Sequence, residues 1–69
     1  MFASIKNGYL VIVSEFKLMS IPLNDIVSIK KSDILEFELP NGRVLQTELN
    51  LDVYDEIKSL IESKKLNNY

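Results

Sequence analysis

The chain has 69 residues, 46% of them hydrophobic and 26% charged, a globular composition that fits one small domain. It contains neither cysteine nor histidine, which removes disulfides, thiolate–zinc sites, Ser–His–Asp and Cys–His catalytic sets, and the usual general base near neutral pH. A net charge of −2 with scattered lysines argues against nucleic acid or an anionic membrane as the partner.

The first residues, Met1-Phe2-Ala3-Ser4-Ile5-Lys6, lack the basic start and long apolar stretch of a signal peptide. No run approaches the ~18 apolar residues of a membrane span. A cytoplasmic protein without a membrane partner is the expectation. Ala3 and Ile5 alternate with Ser4 and Lys6 as a short strand that ends at Asn7-Gly8. Asn-Gly suits a two-residue type I′ turn, because both positions tolerate positive φ. Pairing across it sets Lys6 opposite Tyr9, Ile5 opposite Leu10 and Ala3 opposite Ile12. The second strand, Tyr9 to Val13, is apolar throughout. Leu10 and Ile12 take one face and Tyr9, Val11 and Val13 the other, so cover is expected on both sides.

Ser14 to Lys17 reads as a turn, and Leu18 to Ile21 as a third strand stopped by Pro22, which cannot donate to a ladder. After the kink Leu23-Asn24-Asp25, residues Ile26 to Lys30 form a fourth strand, with Val27 and Ile29 on one face. Lys31-Ser32-Asp33 turns the chain again. Ile34 to Leu39 and Arg43 to Leu49 make a hairpin around Pro40-Asn41-Gly42. A loop with Gly42 in the left-handed position sets Phe37 against Leu45 and Leu35 against Thr47. Glu36, Glu38, Val44, Gln46 and Glu48 then share the other face. A one-residue slip would bury the glutamates. Such an acidic face could hold a cation or a basic partner, but a solvated face is the commoner use.

From Asn50 the period changes. Val53, Ile57, Leu60 and Ile61 form one stripe of an amphipathic helix, bordered by Tyr54 and capped by Asn50 or Asp52. Acidic residues crowd its first turn and Lys64 and Lys65 its last, the order the helix dipole favours. Asn67-Asn68-Tyr69 is expected to fray. The fold class is therefore α+β: an antiparallel meander of about five to six short strands, able to curl, followed by one C-terminal helix over a single domain, 1–66.

The run "IPLNDIVSI", followed by "LEFELPNGRVLQTEL" and a helix, resembles several bacterial families. These are the first half of LytTR DNA-binding domains, small flagellar proteins of the FlbD/SwrD type, and bacterial PH-like domains.

The function follows from a shortage of cover. About fifteen helical residues at ~1.5 Å rise give roughly 22 Å of helix. Five strands at ~4.8 Å also span roughly 24 Å, so one helix cannot shelter both faces of the early strands. The sheet can curl into a small barrel, pair with a second copy, or be covered by another protein. The only glycines, Gly8 and Gly42, sit in turns, so no phosphate-cradling loop, cofactor motif or catalytic set is present. The reading is a non-enzymatic interaction module: a regulator, adaptor or inhibitor, phage-encoded ones included, that self-associates. Its expected interface is Tyr9, Val11, Val13 and Phe16. A sequestering binder of a small molecule or nucleotide is the alternative of a different class, and a nucleic-acid-binding regulator is the third.

Overall fold

A computed structural model describes residues 1–66; the tail at 67–69 lies outside them. The elements are β1 (Phe2–Lys6), β2 (Tyr9–Val13), β3 (Leu18–Pro22), a 3₁₀ turn (Leu23–Asp25), β4 (Ser28–Lys31), β5 (Ile34–Glu38), β6 (Val44–Glu48) and α1 (Leu51–Leu66). The expected α+β meander is present, but it divides into two three-stranded antiparallel sheets, β1-β2-β3 and β4-β5-β6. The division falls at the 3₁₀ turn, where Pro22 ends one ladder and Ile26 N–H closes the turn on Leu23 O at 3.2 Å.

Both hairpin registers follow turn chemistry. Asn7 and Gly8 adopt φ of 50° and 82°, and Lys6 pairs with Tyr9, Ile5 with Leu10 and Ala3 with Ile12. In the second hairpin Gly42 has φ of 80° and its N–H donates to Leu39 O at 3.0 Å. Phe37 pairs with Leu45 and Leu35 with Thr47. The fourth strand departs from the sequence reading. It runs from Ser28 to Lys31, and Ile26 is buried while Val27 is half exposed. The faces are as expected: Ile29 pairs with buried Phe37, Ser28 and Lys30 pair with Glu38 and Glu36 on the outer face, and Val27 lines the same helix-side cleft as Ile29.

The inner faces of both sheets and one stripe of α1 share one core: Ala3, Leu10, Ile12 and Ile21 from the first sheet, Leu35 and Phe37 from the second, Ile26 from the connection, and Val53, Tyr54 and Ile57 from the helix. The helix packs chiefly on β4 and also meets β1. Its start is fixed by Asn50 rather than Asp52. Asn50 Oδ1 accepts from Val53 N–H at 3.2 Å, and Asn50 Nδ2 donates to Ala3 O at 3.2 Å. One side chain thus caps the helix and ties it to β1. The Asn50→Ala variant is expected to lose about 1–2 kcal/mol, lowering Tm by roughly 4–15 °C. Thermal denaturation followed by circular dichroism checks this. Asn50→Ser, which keeps a capping oxygen but not the reach to Ala3, should recover only part of the loss.

Candidate interaction surface

The cross-strand registers convert the first sheet into a grid. On its outer face Phe2, Val13 and Leu18 lie in one row, Ser4, Val11 and Ser20 in the next, and Lys6, Tyr9 and Pro22 in the third. The opposite parity carries Ala3, Leu10, Ile12 and Ile21 into the core. All four residues expected at an interface fall on or beside the outer face. Tyr9 and Val13 are about half exposed, Val11 is partly shielded between its neighbours, and Phe16, at the tip of the β2–β3 loop, is 92% exposed. Ser14 closes that loop, with its N–H and Oγ both donating to Lys17 O, at 2.9 and 3.3 Å. The loop presents Phe16 with no side-chain cover.

The grid also brings in two residues outside the expected set. Phe2 is 66% exposed and Leu18 is 71% exposed. With Val13 between them they make a wholly apolar row that Phe16 extends. The sequence signal for Phe2 was one further step of the Asn7-Gly8 register, which sets it opposite Val13. Of the nine grid positions only Lys6 is charged. The row is contiguous rather than scattered, which sets it apart from the singly exposed apolar residues common on protein surfaces.

The outer face of the second sheet differs in kind. Ser28 Oγ donates to Glu38 Oε1 at 2.9 Å, and Gln46 Nε2 donates to Glu36 Oε1 at 3.2 Å. Lys30 stands opposite Glu36 in the register. These carboxylates are answered by cross-strand neighbours. Among the described residues no group of three or more carboxylates is arranged to hold a metal ion.

Two clefts flank the helix. One of about 160 Å³ is lined by Val27, Ser28, Ile29, Lys58, Ile61 and Glu62. The other, of about 220 Å³, lies between β1 and the helix start, against Ser4, Ile5, Asn50 and Val53. Both fall below the roughly 300–1,000 Å³ of small-molecule pockets. Beside the first cleft, the Lys31 and Lys58 ammonium groups stand 4.6 and 5.5 Å from the centroid of the Tyr54 ring. The side chain of Tyr54 raises the Lys58 pKa, with Glu62 and Asp55 adding to the effect. Among the described residues no helix is long and apolar enough to cross a membrane.

No protein-family model, curated protein or solved structure matches this chain.

Proposed function

We propose that this protein is a small non-enzymatic interaction module, a regulator, adaptor or inhibitor, that self-associates and holds another protein against the outer face of β1-β2-β3. The observation that carries this reading is the exposed apolar row Phe2–Val13–Leu18 with Phe16 beyond it. Burying apolar surface is worth about 25 cal/mol per Å², and aromatic residues at the centre of a contact contribute most. The opposing features support the same reading. The second sheet's outer face carries the pairs Ser28–Glu38 and Gln46–Glu36, which separate its exposed Ile34 and Val44. The small clefts favour neither a sequestered nucleotide nor another ligand of that size. A single lysine on the outer grid offers little to a phosphate backbone.

Phe16 makes the test clean. Because it is 92% exposed, Phe16→Ser should change folding stability by no more than about 0.5 kcal/mol. Wild type and Phe16→Ser, immobilised at equal density, are exposed to lysate of the native host. The wild type is expected to retain a protein that the variant releases. Identical retention by the two would remove the outer face as the working surface.

A further inference from the structure

Among the described residues, backbone hydrogen bonds distinguish the two edges of the first sheet. On the β1 side, Met1 O accepts from Glu48 N–H at 3.0 Å and Ala3 O accepts from Asn50 Nδ2 at 3.2 Å. That edge is occupied by the end of β6 and the helix start. On the β3 side the pairing with β2 is bracketed by Ser14 N–H to Lys17 O at 2.9 Å and Leu23 N–H to Gly8 O at 3.0 Å. Antiparallel pairing alternates, so Lys17, Met19, Ile21 and Leu23 aim their backbone groups at β2. Leu18, Ser20 and Pro22 aim theirs away from it, at the sheet's edge. Exposed edges of this kind are templates for another strand.

We infer that β3 pairs antiparallel with β3 of a second copy about a two-fold axis at Ser20, joining two three-stranded sheets into one. This rests on the self-associating module proposed above and gives its geometry. Three features select a second copy as the occupant. First, the polar groups match themselves under the two-fold. Ser20 exchanges N–H and C=O with Ser20 of the second copy. Leu18 N–H meets Pro22 O of the second copy, while proline, having no N–H, leaves Leu18 O to water, so each end of the pair makes one bond and the centre makes two. Second, Leu18-Met19-Ser20-Ile21-Pro22 carries no charge, so self-pairing sets no like charges opposite one another. Lys17 of each copy comes beside the 3₁₀ turn of the other, which carries Asp25. Third, the contact closes. An isologous pair uses up the β3 edge of both copies, and on the β1 edge Met1 O and Ala3 O are already engaged. Leu18, 71% exposed in one chain, gains Pro22 of the second copy as its neighbour. The outer grids of the two copies lie side by side and remain open to the partner protein.

The chain has no cysteine, so Ser20→Cys places a single reporter at the axis. Residues in a hydrogen-bonded antiparallel pair have Cα atoms ~5.5 Å apart, inside the roughly 4.4–6.8 Å window of a disulfide. Ser20→Pro removes an edge-directed N–H and leaves the bonds to β2 intact. Val11→Lys alters the outer face and not the edge. Sedimentation equilibrium over a concentration series is expected to give twice the 7.9 kDa chain mass for wild type and Val11→Lys, and 7.9 kDa for Ser20→Pro. Mild oxidation of Ser20→Cys should yield a covalent dimer. Should Ser20→Pro fail to fold, the Ser20→Cys cross-link decides. A wild type that stays at 7.9 kDa, a Ser20→Pro that dimerises like wild type, or a Ser20→Cys that does not cross-link overturns the edge pairing. The Phe16→Ser capture experiment is read separately, so loss of the edge model and loss of the interaction face are distinct outcomes.

Discussion

Phe37→Ala is expected to leave the chain largely unfolded in buffer at room temperature. Phe37 is fully buried on the central strand of the second sheet, between Ile29 on β4 and Leu45 on β6. Truncating a buried phenylalanine costs about 3–5 kcal/mol, the transfer of the ring plus the cavity it leaves. A domain of this size without staples has about that much in total. Far-ultraviolet circular dichroism and urea titration measure the outcome. Phe37→Leu, which fills most of the space, should fold with a lowered midpoint. A Phe37→Ala protein with the wild-type midpoint would mean that the two sheets do not depend on their shared core.

The second large effect is a contrast between neighbours. Leu10→Lys should abolish folding, while Val11→Lys should fold and lose capture of the partner. The two positions are adjacent on β2 but face opposite ways. Leu10 is completely buried, and Val11 looks outward between Ser4 and Ser20. A lysine at Leu10 would place an unpaired charge in an apolar core, a cost far above the total stability. At Val11 the lysine stem can lie along Tyr9 and Val13 while its ammonium reaches water. Circular dichroism separates the two variants on folding, and retention of the partner on immobilised Val11→Lys reads the binding. Equal tolerance at both positions would contradict the assignment of faces.

These assignments were legible in the sequence where local chemistry decides. Asn7-Gly8 and Pro40-Asn41-Gly42 leave few backbone options, so they fix the pairing of the strands on either side. Alternation then says which residues share a face, and Val53, Ile57 and Ile61 mark the helix stripe. The sequence was silent where distant segments decide. The kink at Leu23–Asp25 was legible from Pro22, but nothing local announces that it parts the meander into two sheets and buries Ile26 ahead of β4. Asn50 and Asp52 are comparable caps by propensity. The contact between Asn50 and Ala3, far apart in the chain, favours Asn50. Of the candidate surface, Tyr9, Val11, Val13 and Phe16 came from patterning. The alignment of Phe2 and Leu18 with Val13 needed registers across three strands at once.

Every strand pair within the two sheets joins consecutive segments of the chain, whereas Glu48 to Met1 and Asn50 to Ala3 each bridge 47 of its 69 residues. Each half can therefore zip up quickly by itself, and the slow event is the meeting of the two. Until they meet, Leu10, Ile12, Leu35 and Phe37 are wet and Asn50 caps the helix without its tie to Ala3. The time spent as two open halves, as much as final stability, then governs how readily newly made chains clump.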